Sequence, residues 1–241
     1  MALDGSRQPK PRAELVRPEI TRLPELTWLR RRQRHIIKWL ARLLVSLFTR
    51  PQVTGLEHIP HDKPFLVISN HLGDADFVLG LAFSPVDCDL FAKAELYDFP
   101  ILGSILEAYG VIWIHRGQPD RRALRAALDA LRQGRPMAIA PEGRESLTGS
   151  LEEATNGAAY LAIKAGVPLL PVAFTGTGNK QVFWNIRHIR RTQVTMTVGE
   201  LFWLEEQPDF HIELTQVTQK IMGRLADLLP PEYRGVYSSS G

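Results

Sequence analysis

The chain has 241 residues, 44% of them hydrophobic and 23% charged, which excludes a disordered or fibrous protein and suits one large domain or a domain with an appendage. The formal net charge is only +3, and the single cysteine, Cys88, excludes an internal disulfide framework and fits a reducing compartment. Cys88 has no positive cluster beside it in sequence and reads as a small buried hydrophobe rather than a nucleophile.

Residues 1–26 are rich in proline and charge and read as a flexible tail, without the basic-then-apolar order of a signal peptide. No uncharged apolar stretch approaches the ~20 residues of a spanning helix. Residues 27–50 form the next unit. Arg30, Arg31, Arg32, Arg34, Lys38, Arg42 and Arg50 occur there with no acid among them. At helical spacing, Arg31, Arg34, Lys38 and Arg42 share one face, and Ile36, Leu40, Leu43, Leu44 and Leu47 share the opposite one. Two readings fit. One is a helix lying in an anionic membrane interface, cations toward headgroups and aliphatics toward acyl chains. The other is a surface helix packing its apolar face on the domain. Nucleic acid is disfavoured, because no interleaved aromatic–basic motif, zinc signature or helix-turn-helix signature occurs.

From residue 51 onward strands and helices alternate. A strand is expected at Phe65–Ser69 and a helix from Ala75 to Phe83. LFAKAEL reads as strand and turn, and a short helix follows over Pro100–Ala108. GVIWIHRG is a further strand. DRRALRAALDALRQG is the clearest helix, with Asp120 as its cap and Gly134 as its stop. PMAIAPEG, VPLLPVAF and TQVTMTVGE supply more strands, EATNGAAYLAIKAG another helix, and Ile212–Leu229 a last one. The alternation predicts an α/β fold with a mixed, largely parallel central sheet flanked by helices, preceded by the amphipathic helix. In such sheets ligands gather at the carboxyl ends of strands. His71, Arg116 and Glu142 each follow a predicted strand, so three strands deliver them toward one edge.

NHLGDAD, residues 70–76, carries the candidate chemistry. A carboxylate at Asp76, in the first turn of a helix, is favoured by the helix dipole. It can fix the tautomer of His71, leaving the other ring nitrogen to take a proton from a substrate hydroxyl. Without a serine partner such a pair would activate an exogenous alcohol. The plainer reading makes Asp74 the helix N-cap, Asp76 a dipole partner and His71 a polar loop residue. A metal site lacks enough ligands of the right spacing, and no Gly-x-Ser-x-Gly elbow, phosphate loop or dinucleotide fingerprint occurs.

Four blocks in order then tie these residues together. NHLGDAD resembles the Asn-His-x-x-x-x-Asp motif of the glycerolipid acyltransferases, the lysophosphatidic acid acyltransferase group. GVIWIHRG resembles the second block, whose arginine is Arg116. APEGRES resembles the third, Phe-Pro-Glu-Gly-Thr-Arg-Ser, and VPLLPVAF the fourth, Val-Pro-Ile-Val-Pro-Val. VTGLEHIP, AKAEL with Lys93, and NGAAYLAIKAG add support, so the resemblance covers Val53 to Phe174.

The resemblance implies an acyltransferase domain over residues 51–241. His71 would be the general base and Asp76 its orienting partner. Arg116, Glu142, Gly143, Arg144 and Lys93 would serve acceptor binding. The acyl donor would be acyl-CoA or acyl carrier protein, a co-substrate rather than a cofactor, and the acceptor a lysophospholipid. No metal would take part. The protein would lie at an anionic membrane surface, peripheral or monotopic on the cytoplasmic face. Two departures stand out. Where the family has Thr-Arg the chain has Arg144 and Glu145, and where it often has an acid the chain has His115, which could pair with Glu145. The acceptor could therefore be another lipid or glycolipid, and a non-catalytic lipid-binding protein is a third possibility.

Overall fold

The apolar run PFLVIS is buried on both sides and forms a central strand, as expected of a parallel sheet covered on both faces. The computed structural model describes residues 17–115, 120–204 and 214–238. Among these, seven strands make one sheet: β1 (Thr49–Thr54), β2 (Leu66–Ser69), β3 (Asp89–Lys93), β4 (Ile112–Ile114), β5 (Met137–Ile139), β6 (Leu169–Thr175) and β7 (Thr192–Val198). Their order in space is β1-β7-β6-β2-β5-β3-β4, and every pair is parallel except β6 with β7. The expected mixed, largely parallel α/β sheet is therefore present.

Helices cover both faces. On one side lie α1 (Trp28–Phe48), α2 (Asp74–Phe83) and α3 (Leu102–Tyr109), over a core that includes Phe65, Leu79, Tyr109, Val172 and Met196. On the other lie α4 (Arg121–Arg132), α5 (Gly157–Ala165) and α7 (Leu214–Ala226), over Leu66, Ile68, Ala127, Leu161 and Ile221. A further helix, α6 (Asn179–Arg187), packs beside α2 and β7. Asp120 caps α4 as its sequence predicts, accepting the amides of Arg122 and Ala123.

Several expectations need correction. β1 and α6 were not foreseen. Pro51 lies within β1, which tolerates it because β1 is an edge strand. The described part of the expected tail, from Arg17, is docked: Ile20 and Thr21 are buried, and the Arg135 guanidinium donates to the Pro24 carbonyl. α2 begins at Asp74 itself, with Gly73 as its N-cap, so Asp74 is not the cap.

The largest correction concerns α1. It has the amphipathic character its sequence predicts, but it packs on the domain through its cationic face. Arg34, Lys38, Ala41 and Val45 are its buried residues. Arg34 pairs with Asp89 at 2.6 Å and donates to the Tyr109 carbonyl, and Arg135 grips the same Asp89 at 2.6 Å. Lys38 pairs with Asp87 at 2.9 Å, and Arg42 donates to the Ala82 carbonyl. Asp89 is fully buried, so two guanidinium groups on one carboxylate are what makes its burial tolerable. Cations at these three positions thus hold the helix to the protein instead of facing headgroups. The aliphatic face, with Ile36, Trp39, Leu40, Leu43, Leu44 and Leu47, is exposed. No helix among the described residues is long and apolar enough to cross a membrane.

Candidate active site

The site is built where β2 ends. The Asn70 side chain is buried and pairs with the backbone of β6, donating to the Phe174 carbonyl and accepting the Phe174 amide, both at 2.8 Å. It closes the gap left where β2 and β6 diverge and fixes the direction of the next residue. His71 then turns toward the N-terminus of α2. Its Nδ1 lies 3.0 Å from Asp76 Oδ2. The same oxygen accepts the amides of Leu72 at 2.7 Å and Gly73 at 3.0 Å. An oxygen that already accepts two N–H groups is an acceptor toward the ring too, so Nδ1 carries the proton and donates it. Nε2 is then the nitrogen with the lone pair. Among the described residues nothing bonds to it.

Gly73 is required by space rather than by backbone angle. A Cβ there would stand 2.7 Å from Asn179 Oδ1 and 2.8 Å from the Thr177 carbonyl. Asn179, at the start of α6, accepts the Asp74 amide and donates to Glu145 Oε2, both at 3.0 Å. Neither Asn70 nor Asn179 was singled out as a site residue. Asn70 stood inside the quoted motif and could have been; Asn179 had no signal, because its partners lie far away in sequence.

Glu142, at the end of β5, is buried under the histidine. Its Oε1 accepts the His71 amide at 3.2 Å and its Oε2 accepts the Glu152 amide at 3.1 Å. Burial pushes the Glu142 carboxyl up to about 7, against the pull of those two amides. Gly143 follows with φ of +73°, in the left-handed region that favours glycine, so the loop can turn back. The Ser146 amide donates to the His71 carbonyl at 2.7 Å, tying the loop to the histidine.

Arg144 pairs with Glu152 at 2.6 Å, and Glu152 in turn accepts the amides of Leu147 and Thr148. Those amides hold the Glu152 carboxyl below its usual range. Arg144 is thereby engaged in its own loop. Lys93, at the end of β3, lies 3.9 Å from Glu145. The expected pairing of His115 with Glu145 does not occur. His115 Nδ1 faces Asp120 at 3.3 Å and Thr21 Oγ1 at 3.4 Å, and its Nε2 accepts the Arg17 amide at 3.1 Å. His71, Asp76, Glu142 and the loop of Gly143 to Ser146 are brought together, with Lys93 joined to them through Glu145. Arg116 lies outside the described residues. Cys88 stands apart from the site, and burial pushes its thiol up to about 12, against use as a nucleophile.

Known proteins resemble this chain in fold or in sequence. The 1-acyl-sn-glycerophosphate acyltransferase PlsC of Thermotoga maritima superposes with a TM-score of 0.60 over 83% of this chain and 79% of its own, at 25% identity. A lyso-ornithine lipid O-acyltransferase of Pseudomonas aeruginosa is 34% identical over 64% of this chain and 58% of its own length. The 1-acyl-sn-glycerol-3-phosphate acyltransferase beta of Homo sapiens is 29% identical over 69% and 60%. A chloroplastic 1-acyl-sn-glycerol-3-phosphate acyltransferase of Brassica napus is 29% identical over 62% and 44%, so the chain spans about half the length of the curated relatives it matches. The family model for Acyltransferase matches residues 50–175, which hold β1 through β6 and every described site residue but Asn179. By that match and by the shared fold, the chain belongs to the acyltransferase family.

Proposed function

We propose that the protein transfers a fatty acyl group from an acyl thioester, acyl-CoA or acyl carrier protein, to the hydroxyl of a lysophospholipid such as 1-acyl-sn-glycerol-3-phosphate. The observation that carries this reading is the unoccupied Nε2 of His71, with Nδ1 held by Asp76. The acceptor hydroxyl gives its proton to Nε2 as its oxygen attacks the thioester carbonyl. Asp76 stabilises the imidazolium that results. The tetrahedral adduct collapses, the carbon–sulfur bond breaks, and the leaving thiolate takes the proton back from His71. No acyl-enzyme forms. Positioning supplies much of the rate, since the thioester is already activated.

Glu142 acts as a positioning residue: its carboxylate holds the His71 backbone and the Gly143–Glu152 loop at once. Lys93, Arg116, Arg144 and Gly143 are assigned to the acceptor headgroup. The exposed aliphatic face of α1 is assigned to the membrane interface, where burial of apolar side chains provides the affinity. Such a protein works as a peripheral or monotopic enzyme at the cytoplasmic face.

The test is a donor-by-acceptor matrix on purified protein, with His71→Ala alongside. Thioester-dependent acylation lost in the variant supports the mechanism; acylation that survives the substitution sinks it. A second reading keeps the chemistry and changes the acceptor. It rests on Glu145, which stands where the family has an arginine and is held by Asn179 beside Lys93. A carboxylate there suits a headgroup that also carries an ammonium, and one relative is named for a lyso-ornithine lipid. Equal or better turnover of lysophosphatidic acid than of amine-bearing lysolipids rejects that second reading.

A further inference from the structure

Lys180–Arg191, which is α6 beyond Asn179 together with the loop into β7, takes no part in the site described above. Between Asn179 and Gly199 the sequence has no acid, yet it carries Lys180, Arg187, His188, Arg190 and Arg191, all exposed. Among the described residues no carboxylate lies within ion-pair distance of any of them, whereas Arg17, Arg22, Arg34, Lys38 and Arg144 are all paired. We propose that this segment is a second membrane contact, a site for anionic phospholipid headgroups distinct from the apolar face of α1.

The cations surround an apolar platform. Trp184 is half exposed; the His188 ring stacks on it at 4.1 Å, and the Arg190 guanidinium lies 5.4 Å from its centre. An amphipathic aromatic ring flanked by cations suits the headgroup level of a bilayer. Ile189 projects beyond it, 97% exposed, with φ of +54°. A β-branched residue in the left-handed region is disfavoured, and in water an exposed isoleucine returns nothing for that strain. A bilayer does, by burying it.

Position gives the site its occupant. The Arg191 guanidinium donates to the Thr49 carbonyl at 2.7 Å, and Thr49 caps the C-terminal end of α1. The loop therefore stands beside Leu47 and Phe48, where the exposed face of α1 ends. All other exposed large apolar side chains among the described residues lie on α1, the segment Tyr97–Ile105 or this loop, apart from Leu147, Trp203 and Val236. α4, α5 and α7, on the far side of the sheet, have none. A nucleic acid would meet the same charges but would gain nothing from Ile189, Phe183 or the continuity with α1.

Flotation of the full chain with phosphatidylcholine vesicles and with phosphatidylcholine–phosphatidylglycerol vesicles tests the site. Arg187→Gln with Arg190→Gln should lower partition onto the anionic vesicles by roughly tenfold or more and flatten its salt dependence. Partition onto neutral vesicles, which reports on α1, should not move. Arg121→Gln with Arg125→Gln, an equal charge change on α4, should leave both unchanged. Ile189→Gly should raise the melting temperature while lowering vesicle partition several-fold, because glycine relieves the backbone and removes the wedge. Unchanged anionic partition in the Arg187/Arg190 variant overturns the proposal. So does an equal loss in the α4 variant, or binding to duplex DNA that the loop variant alone loses while its vesicle binding persists. None of these outcomes depends on turnover, so they stand apart from the fate of the acyltransferase reading, which His71→Ala decides.

Discussion

The chain contains two histidine–aspartate pairs of one design. His71 and Asp76 are five positions apart, and so are His115 and Asp120. Each histidine follows a strand, β2 or β4, and each aspartate sits at the start of a helix, α2 or α4. Each carboxylate is held by backbone amides, and each faces Nδ1 of its histidine. The histidine side chains are almost equally exposed, 22% and 19%. The difference is at the far nitrogen. Nε2 of His115 accepts the Arg17 amide, so its lone pair is spent on holding the N-terminal segment. Among the described residues nothing bonds to Nε2 of His71. Spacing and exposure therefore do not distinguish the proposed base from the brace; the fate of one lone pair does.

The strongest way to break this comparison is to remove each ring. His71→Ala should lower kcat by roughly a thousandfold or more, the scale of a lost general base. His115→Ala should leave kcat within about twofold, with a loss of stability read from the denaturant midpoint. Equal losses of kcat would end the distinction. The aspartates come next. Asp76→Asn keeps the shape, and its amide oxygen can accept the three N–H groups that Oδ2 accepts, but it lacks the charge that stabilises the imidazolium, and kcat should fall about a hundredfold. Asp120→Ala should cost about 1 kcal/mol of stability, the value of a helix cap, with kcat per folded molecule unchanged. Its carboxyl shows why: burial alone would raise it, but the His115 and Ala123 amides and the His115 ring hold it below its usual range.

How far the sequence could be read follows from the reach of each interaction. His71 and Asp76 are close in sequence and their geometry is set within one turn, so the motif was legible. So was α4, whose cap and apolar stripe lie in one segment. The facing of α1 was not. Periodicity separated its cationic and aliphatic faces correctly, but which face meets the protein depends on Asp87 and Asp89, far along the chain. The partner of His115 failed likewise, because Arg17 and Thr21 reach it from a segment that reads as a tail. α6 went unseen because NKQVFWNIR has only Val182 buried and so no apolar stripe. Arg144 and Glu145 were noticed as departures, yet only Glu152 and Asn179 show how each is held.

The smallest effect sharpens the comparison most. His71 has support from a separate residue, the Glu142 carboxylate on its backbone amide, whereas the amide of His115 is held by Asp120 itself. That carboxyl is raised to about 7, chiefly by burial, from an ordinary value near 4.5. Between those values the folded state holds a proton that the unfolded state has released. Stability from this group is thus greatest below about pH 4.5 and declines as pH rises through 7, by on the order of 1–3 kcal/mol. Activity should run the other way. The ionised carboxylate accepts both the His71 and Glu152 amides, whereas the protonated form has a hydroxyl oxygen that accepts poorly. Wild-type kcat should therefore rise several-fold as pH climbs through 7, while melting temperature, referred to that of Glu142→Gln at each pH, falls. Glu142→Gln has one acceptor at every pH, so its kcat should be low by a few-fold and lack that component of the rise. A Glu142→Gln profile that keeps the full wild-type inflection would take the titration away from Glu142 and remove that residue from the difference between the two pairs.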